Sequence, residues 1–231
     1  MSIEGVRKIE IPFTNQTQPI GKSVPHHQML KKHIKDVGLE MGSLKTVIED
    51  IFPKSIIDAF GGCGFSAAIL NHTFPKAKLY LNDLDPTCSE VLKKNFPKAI
   101  VRNEDIVTWD FPNVDLVWID FNNFTLKRLS QWTDVLIKAG NRSKILMFTD
   151  SACYGFKMGN LKAYEVSTPL NYYILLSQHL YPITKKYIRM VSMFGPAAVV
   201  RMENENGPIQ MKNGVSPIKV HQIKKEGLFT T

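Results

Sequence analysis

Short apolar runs alternate with segments of helical periodicity through the middle of the chain. The runs SIIDAF, KLYLND, AIVRNE, VDLVWID and KILMFTDS have the length and apolar content of strands that are buried on both faces. Most segments between them, and a stretch around Leu170–Leu180, space apolar residues three or four apart, which indicates helices. One of these, TLKRLSQWTDVLIKAG, is predicted to end at Gly140. The alternation predicts a doubly wound, mostly parallel α/β sheet.

The first 52 residues depart from this alternating pattern. Residues 1–25 are polar and contain Gly and Pro, which predicts an irregular arm. His26–Val37 and Met41–Phe52 have helical spacing, and Pro53 is expected to end the second helix. We therefore expect residues 1–52 to form an N-terminal extension made of an arm and helices.

Two β-rich runs close the patterned part of the chain. KKYIRMVSMF and AAVVRMEN are separated only by Gly195–Pro196, and strands this close together predict an antiparallel edge on the sheet. The core domain is therefore expected over residues 53–204. Residues 205–231 are polar and basic, which predicts a tail or a loose hairpin.

Composition excludes several classes of protein. The 231 residues are 44% hydrophobic and 22% charged, which is average for a globular protein and excludes wholesale disorder and coiled coil. No apolar run reaches the roughly 18 residues of a membrane span, and the N-terminus lacks the apolar region of a secretion signal. Cys63, Cys88 and Cys153 form no CxxC pair, so no disulfide framework and no metal site are expected. We expect a cytoplasmic protein without a membrane partner.

The net charge of +8 is concentrated in one part of the chain. Residues 121–190 contain ten Lys and Arg residues against three Asp and Glu residues. A basic face of this kind would attract RNA or DNA. The alternative is a solvated surface that only keeps the protein in solution, and the charge alone favours neither.

The segment DAFGGCGF places three glycines between a predicted strand and a predicted helix. Glycines let the backbone turn tightly and approach a ligand closely, and the N-terminus of the following helix favours a negative group. An ordinary strand-to-helix loop is the alternative. The dinucleotide fingerprint does not fit, because Gly62-x-Gly64 is followed by Phe-Ser-Ala, so NAD is disfavoured.

Four acidic residues follow the ends of four predicted strands. Asp83 comes 25 residues after Asp58, where a carboxylate can accept hydrogen bonds from both hydroxyls of a ribose. Asp105 follows the third strand and is placed to accept a bond from the exocyclic amine of an adenine. Asp120 ends the fourth strand, at the sheet edge where open α/β sheets bind ligands. Packing alone does not explain this pattern, because buried unpaired carboxylates are costly.

The run Ile56–Asn123 resembles the class I S-adenosylmethionine-dependent methyltransferases. IIDAFGGCGF is similar to their glycine-rich first motif, LNDLDP to the ribose motif, NEDI to the adenine motif and WIDFNN to the fourth motif. Within the class, NDLDPTCSEVLKKN looks most like the corresponding segment of tRNA guanine methyltransferases. The resemblance implies a Rossmann-like doubly wound sheet with an antiparallel C-terminal edge strand, preceded here by the N-terminal helical extension.

The resemblance also implies roles for individual residues toward S-adenosylmethionine. The residues expected to contact its methionine part, its ribose, its adenine and its methyl group are Asp58, Phe60, Gly61, Gly62, Gly64, Phe65, Asp83, Leu84, Asp105, Ile106 and Asp120. The catalytic residues expected from the fourth motif are Asp120, Asn122 and Asn123.

The fourth motif departs from the usual pattern of amino-directed nucleic-acid methyltransferases. It keeps the acid and the aromatic residues but lacks the two prolines. Asn122 can bond an amine or a base edge, and Phe121 or Phe124 can stack on a base. The alternative is that both phenylalanines pack in the core and that the asparagines cap the next helix.

The function that these features favour is methyl transfer to an amino or ring nitrogen of a nucleic-acid base. RNA is the expected partner in preference to DNA. Two alternatives stay open, namely methylation of a protein or a small molecule, and a non-catalytic S-adenosylmethionine-binding module for nucleic acid. No Pro-Cys follows the fourth strand, so attack on cytosine C5 through a cysteine nucleophile is not expected.

Overall fold

One mixed sheet is the centre of the computed structural model, which describes residues 40–62, 64–121, 124, 129–150, 168–194 and 197–212. Within these residues the strands are β1 Ser55–Asp58, β2 Lys78–Asn82, β3 Ile100–Arg102, β4 Val114–Ile119, β5 Ser143–Asp150, β6 Tyr187–Phe194, β7 Ala197–Glu203 and β8 Gln210–Lys212. The helical segments are α1 at residues 40–47, α2 Phe65–Thr73, α3 Pro86–Asn95, α4 Leu129–Arg142 and α5 Pro169–Thr184.

The strand order is β3-β2-β1-β4-β5-β7-β6-β8. Strands β1 to β5 pair in parallel, and β7 is antiparallel to both of its neighbours. The order reverses between β1 and β4, which opens a crevice at the carboxyl ends of these two strands. The predicted doubly wound sheet is confirmed, and the crevice lies where two of the four acids were predicted.

Helices cover both faces of the sheet. Apolar side chains of α4 and α5 pack against one face, where Val135, Leu136 and Leu176 are buried. Side chains of α1, α2 and α3 pack against the other face, where Leu44 and Leu92 are buried. Alternate residues of β1 and β4 enter the two layers, as the twofold periodicity of a strand requires.

The antiparallel strand lies inside the sheet rather than at its edge. The two closing runs form an antiparallel pair as predicted, but β7 is inserted between β5 and β6. Strand β8 then pairs in parallel with β6 and covers its outer side. This short additional strand leaves fewer exposed backbone groups at the end of the sheet.

Two predicted helix ends differ from the structure. Helix α4 continues through Gly140 to Arg142. A Cβ at Gly140 would lie 2.6 Å from the carbonyl oxygen of Thr184, so this glycine allows the end of α5 to approach α4 rather than ending a helix. The helix predicted at Met41–Phe52 is helical only to residue 47, and residues 48–50 form a turn.

The turn after α1 is held by a buried arginine. Arg201 on β7 donates to the carbonyl of Val47 at 2.6 Å and pairs with the carboxylate of Asp50. Its Nε also lies 2.8 Å from Glu203 Oε1. The arginine lowers the pKa of Asp50 through this hydrogen bond. The clamp joins the start of the described chain to the strand at the centre of its antiparallel part.

None of the helices in the described ranges combines the length and the apolar composition needed to cross a membrane.

Candidate active site

The glycine turn after β1 approaches its neighbours too closely for larger residues. Gly64 has φ +89°, and a Cβ there would lie 2.7 Å from the ring of Phe96. A Cβ at Gly61 would lie 2.8 Å from Leu92 Cδ1. Gly61 also donates its N–H to the carbonyl of Asn82 at 2.7 Å. The turn is therefore packed onto α3 and tied to the end of β2, and it leads directly into the N-terminus of α2.

Asp58 ends β1 with a completely buried carboxylate. Its Oδ2 accepts a hydrogen bond from Ser66 Oγ at 2.6 Å. Its Oδ1 is shielded from solvent and has no hydrogen-bond partner among the described residues. Burial raises the pKa of Asp58 to about 7, against the lowering effect of Ser66, and the charges of Asp120 and Asp83 raise it further. A buried acceptor of this kind suits a ligand that brings a positive charge or an N–H group.

Asp83 follows β2 and binds two backbone amides. Its Oδ2 accepts from the N–H of Gly62, and its Oδ1 accepts from the N–H of Asp85, both at 2.9 Å. Asp85 in turn caps α3 by accepting from the N–H of Thr87 at 2.8 Å. The half-buried carboxylate is thereby held against the glycine turn.

Asn82 connects the loops that follow three neighbouring strands. Its buried amide donates to the carbonyl of Ala59 at 3.3 Å and to the carbonyl of Glu104 at 3.0 Å. Its Oδ1 accepts from the N–H of Glu104 at 3.0 Å. Asn103 adds bonds to the carbonyls of Asp83 and Leu84 at 2.7 and 2.8 Å. These bonds fix the relative positions of the loops after β1, β2 and β3.

The loop after β3 is anchored by a lysine of α4. Lys138 Nζ donates to the carbonyls of Ile106, Val107 and Trp109 at 3.2, 2.7 and 2.6 Å. The exposed carboxylate of Asp105 accepts from the N–H of Val107 at 2.9 Å, which closes a local turn.

Two of the apolar residues predicted to contact the cofactor differ in exposure. Ile106 is buried, whereas Leu84 leaves 64% of its surface exposed. A flat apolar ligand placed against Leu84 would remove this surface from water.

Asp120 lies at the end of β4 and contacts β5. The Thr149 hydroxyl lies 2.9 Å from Asp120 Oδ1 and 2.9 Å from the Phe121 carbonyl, and shares its proton between them. Burial raises the pKa of Asp120, while the hydrogen bond from Thr149 and the interaction with Glu40 lower it. Asp120 is therefore an oriented carboxylate at the point where the strand order reverses.

Glu40, the first described residue of α1, reaches the same crevice. Its carboxyl group interacts electrostatically with those of Asp120 and Asp58. Burial is the main cause that raises the pKa of Glu40 well above its ordinary value, and repulsion by Asp120 adds to it. Three carboxyl groups thus share one end of the crevice. Within the described part of the chain, no three His, Cys, Asp or Glu side chains are arranged to hold a metal ion.

The aromatic residues of the fourth motif pack in the core. Phe121 and Phe124 are buried, and their rings stack with centroids 5.0 Å apart. Phe121 also contacts Phe60 and Trp132, at 6.3 and 4.7 Å between ring centroids. The core alternative for both phenylalanines is confirmed. Phe60, predicted to contact the cofactor, forms the partly buried rim of this cluster.

Most of the predicted residues lie on three loops and one strand end around the crevice. The structure brings together Asp58, the glycine turn, Asp83, Leu84 and Asp120, and it places Phe65 at the first position of α2. Asp105 and Ile106 lie on the neighbouring loop that Lys138 anchors. Asn122 and Asn123 fall outside the described residues.

Four residues of the site were not predicted, namely Glu40, Asn82, Lys138 and Thr149. Asn82 and Thr149 had a signal, because each is a polar residue at the end of an otherwise apolar strand. Glu40 and Lys138 had none, since the groups they contact are distant in the sequence.

Comparison with known proteins gives matches only among solved structures. No protein-family model and no curated protein sequence matches the chain. The methyltransferase domain of bacterial CtHen1-C superposes with a TM-score of 0.54 at 13% identity, covering 74% of this chain and 100% of that domain. The S-adenosylmethionine-dependent methyltransferase SibL, in its apo form, gives 0.54 at 14% identity, covering 78% of this chain and 57% of SibL.

A third match was solved with ligands. The plantazolicin methyltransferase BpumL, in complex with a pentazolic desmethylPZN analog and SAH, gives a TM-score of 0.52 at 14% identity, covering 86% of this chain and 91% of that protein. At such low identity the likeness concerns the fold. This chain has the Rossmann-like fold of the class I S-adenosylmethionine-dependent methyltransferases.

Proposed function

We propose that this protein is an S-adenosylmethionine-dependent methyltransferase whose acceptor is a nitrogen of a nucleic-acid base. The observation that carries the proposal is the unpartnered, fully buried Oδ1 of Asp58, which lies beside the glycine turn in a crevice of the methyltransferase fold. A buried acceptor oxygen without a donor in the described chain is stabilised by a cationic ligand.

The residues around the crevice fit each part of S-adenosylmethionine. The amino group of its methionine part suits Asp58, and the carboxylate suits the amide-rich turn and the N-terminus of α2. The ribose hydroxyls suit Asp83, and the adenine suits the exposed face of Leu84 with Asp105. The glycines let the turn pack closely onto α3, since side chains at Gly61 and Gly64 would collide with α3 and the residue that follows it.

The chain's own contribution to methyl transfer is alignment. S-adenosylmethionine supplies a methyl group that is already activated by the positive charge on sulfur. The protein therefore has to hold an acceptor nitrogen in line with that methyl group and to receive the proton that the nitrogen loses. Asp120 is the residue that we assign to this task, because Thr149 orients its carboxylate at the switch point of the sheet.

Two observations support a nucleic-acid acceptor. The segment NDLDPTCSEVLKKN is similar to that of tRNA guanine methyltransferases, and residues 121–190 contain ten bases against three acids. Four of the described bases in that stretch already bind other groups of the chain, namely Lys138, Arg142, Lys144 and Lys186. Two described bases, Lys185 and Arg189, and four bases outside the described residues remain, and we assign the proposed phosphate contacts to the latter four, Lys127, Arg128, Lys157 and Lys162.

The proposed reaction is tested by transfer of tritiated methyl groups to total RNA, genomic DNA and lysate protein, followed by nucleoside analysis. We expect label in RNA, on a base nitrogen. Label in protein alone would replace the nucleic-acid acceptor by a protein one. Binding of S-adenosylmethionine without transfer to any acceptor would favour a non-catalytic binding module.

The role of Asp120 is tested with Asp120→Asn, which keeps an oxygen for Thr149. Turnover should fall by about 10²- to 10⁴-fold, the range expected for a lost acid–base group, while S-adenosylmethionine affinity stays within a few-fold. Asp110→Asn is the matched control, because that carboxylate is 85% exposed and pairs only with Arg142 among the described residues. Equal loss of affinity and turnover would make Asp120 a cofactor-binding or structural residue.

The polyanion contact is tested by the salt dependence of RNA binding. The double variant Lys127→Ala, Arg128→Ala should reduce the slope of log K against log salt by about 1.4 to 1.8, since each phosphate contact contributes about 0.7 to 0.9. An unchanged slope would remove these two residues from the interface.

A further inference from the structure

A short motif recurs before three neighbouring strands of the sheet. The tripeptide Phe-Pro-Lys occupies residues 52–54, 74–76 and 96–98, and each copy ends within two residues of the start of β1, β2 or β3. These strands are adjacent and parallel, so the three copies lie side by side at the edge where the strands begin, opposite to the crevice. Since neighbouring strands are about 4.8 Å apart, the copies extend across about 10 Å of this edge.

The second and third copies have the same local structure. Phe74 and Phe96 each end a helix with nearly equal backbone angles, φ −125° and ψ 65° against φ −127° and ψ 66°. In both copies the alanine after the lysine donates its N–H to the carbonyl of the phenylalanine at 2.9 Å. Both rings are buried among the helices on that face of the sheet, while Lys76 and Lys98 are exposed. The motif thus directs a lysine into solvent at each turn.

The lysines of the motif carry positive charges that the described residues do not neutralise. All three are exposed, and none forms an ion pair within the described ranges. Asp115 is bound to Lys144 Nζ at 2.7 Å and to the backbone N–H of Lys54 at 2.8 Å, so its charge is already paired with another lysine. Lys78, the first residue of β2, adds a fourth exposed lysine beside Lys54.

Phe52 differs from the other two phenylalanines of the motif. It leaves 88% of its surface exposed, whereas the other two leave 8% and 5%. The first copy follows the turn at residues 48–50 instead of a helix that would cover the ring. Ile51 and Pro53 are buried, so Phe52 and Lys54 project into solvent on the same side of the extended chain. An aromatic ring and a row of lysines are therefore exposed together.

We propose, resting on the nucleic-acid acceptor above, that Phe52, Lys54, Lys76 and Lys98 form a binding surface for a single-stranded segment of the RNA. We call this the amino-edge surface. The lysines contact phosphates along the strand, and an unpaired base stacks on the ring of Phe52. Proteins that bind single strands combine a basic track for the backbone with an aromatic ring on which a base stacks.

The amino-edge surface holds a part of the RNA that is not the methyl acceptor. Lys54 precedes Asp58 by four residues along β1, which places their backbones about 13 Å apart. The surface therefore binds a flanking segment, while the acceptor base occupies the crevice at the other end of the strands. An anionic lipid surface fits less well, because lipid binding uses a broad apolar face and this edge exposes one large apolar side chain among the described residues.

The phosphate contacts are tested by anisotropy of a labelled oligo(U) RNA of about 12 nucleotides, with the full chain and without S-adenosylmethionine. The triple variant Lys54→Gln, Lys76→Gln, Lys98→Gln should reduce the slope of log K against log salt by about 2, since each contact to a single strand contributes about 0.7. The matched control, Lys45→Gln, Lys185→Gln, Lys212→Gln, removes the same charge from exposed lysines elsewhere. Its slope should change by less than about 0.5.

The stacking contact is tested separately from charge. Phe52→Ala should weaken binding of the same RNA by about 5- to 100-fold with an unchanged salt slope, the range expected for one lost base–aromatic contact. Phe52→Trp keeps a stacking ring and should bind like the wild type. A duplex of oligo(U) and oligo(A) offers no unpaired base, so the wild type and Phe52→Ala should bind it equally. All these side chains are exposed, so the melting temperature should stay close to that of the wild type.

Several outcomes would overturn the amino-edge surface. They are an unchanged slope in the triple variant of the motif, an equal loss of slope in the control, and an unchanged affinity in Phe52→Ala. Binding to phosphatidylserine vesicles without binding to RNA would replace the RNA by a lipid surface.

Failure of the amino-edge surface and failure of the proposed function can be told apart. The binding assays contain no methyl donor, so they do not depend on transfer. If RNA binds with the expected variant pattern while no nucleic acid becomes methylated, the surface stands and the proposed function fails. If RNA is methylated while the slope and the Phe52→Ala affinity stay unchanged, the function stands and the surface is overturned.

Discussion

The backbone N–H of Gly62 donates a hydrogen bond to Asp83 Oδ2 at 2.9 Å. This bond ties the turn after β1 to the acid after β2. Asp83, which we propose binds the ribose, therefore also holds in place the turn that we propose binds the methionine part of the cofactor. Changes at Asp83 should consequently affect both the affinity for S-adenosylmethionine and the stability of the turn.

Asp83→Ala should weaken S-adenosylmethionine binding by about 10- to 100-fold, because hydrogen bonds to a charged group contribute about 1.5–3 kcal/mol. Asp83→Asn, which keeps one oxygen for a backbone amide, should lose less. Calorimetry measures both affinities, and Asp110→Ala is the control for loss of a carboxylate away from the crevice. Unchanged affinity in a folded Asp83→Ala variant would remove Asp83 from the site.

The buried carboxylate of Asp58 should make the protein less stable as the pH rises. Its pKa is about 7 in the folded chain, against about 4 in an unfolded chain, so the folded state binds more protons between these values. The free energy of unfolding should then fall from pH 4 to pH 7, by on the order of 4 kcal/mol from this group. Urea unfolding at pH 5 and pH 8 should show a smaller drop in Asp58→Asn.

Asp115 provides a control of opposite sign for that experiment. The bond from Lys144 lowers the pKa of Asp115, so its contribution to stability is present at neutral pH and is lost on acidification. Asp115→Asn should therefore reduce stability more at pH 7 than at pH 3. If Asp58→Asn and Asp115→Asn changed the pH dependence in the same direction, the assignment of a raised pKa to Asp58 would be wrong.

Ionisation of Asp58 should also set the pH dependence of ligand binding. A cationic ligand binds the ionised carboxylate, so the affinity for S-adenosylmethionine should rise by up to about tenfold per pH unit below pH 7 and then level off. Asp58→Asn should bind weakly and with a much flatter pH profile. A steep profile that persists in this variant would assign the titration to Glu40 or Asp120 instead.

Lys138 should matter for binding although it lies on a helix outside the crevice. Lys138→Met keeps the aliphatic stem but leaves the carbonyls of Ile106, Val107 and Trp109 without their donor, which frees the loop that carries Asp105. We expect about tenfold weaker S-adenosylmethionine binding, equivalent to about 1.4 kcal/mol. Lys144→Met is the control, because that lysine is 76% exposed and pairs with Asp115 near the start of β4. Equal losses of S-adenosylmethionine affinity in the two variants would show that Lys138 does not anchor the loop.

Gly140→Ala should destabilise the protein despite the helix propensity of alanine. In an open helix this change stabilises by about 1 kcal/mol. Here the new Cβ would lie 2.6 Å from the Thr184 carbonyl oxygen and 2.8 Å from its Cα, which are backbone atoms that cannot rotate away. Thermal unfolding should report a loss of about 1–3 kcal/mol. The neighbouring exposed position, Asn141→Ala, should be neutral or slightly stabilising.

The fold could be predicted from the sequence because the strands are short apolar runs that alternate with helical segments, a pattern typical of a parallel sheet. The sequence was also sufficient for the acids at the strand ends, since Asp58, Asp83 and Asp120 each interrupt an apolar pattern. The position of β7 between β5 and β6 could not be predicted, because adjacency in sequence favours a simple hairpin at the edge and only tertiary packing selects the inserted strand.

The remaining errors have one physical origin, which is contact between residues distant in the sequence. Gly140 is a helix terminator by local rules, and the approach of Thr184 gives it a different role. In the sequence, Glu40 and Lys138 look like ordinary solvated charges on helices, because the groups they contact are distant along the chain. Phe121 and Phe124 were consistent with base stacking or with a core, and the surrounding aromatic rings decide for the core.

The clamp between Asp50 and Arg201 has a consequence for how the chain is synthesised. The two residues are 151 positions apart, so the turn after α1 leaves the ribosome long before its arginine. Until β7 has been made and inserted, Arg201 cannot hold the end of α1, and the helix that carries Glu40 lacks this anchor. A nascent or C-terminally shortened chain would therefore contain the glycine turn and Asp83, while the end of the crevice near Glu40 and Asp120 is still incomplete. Assembly of this end of the crevice would thus be delayed until the last part of the sheet is complete.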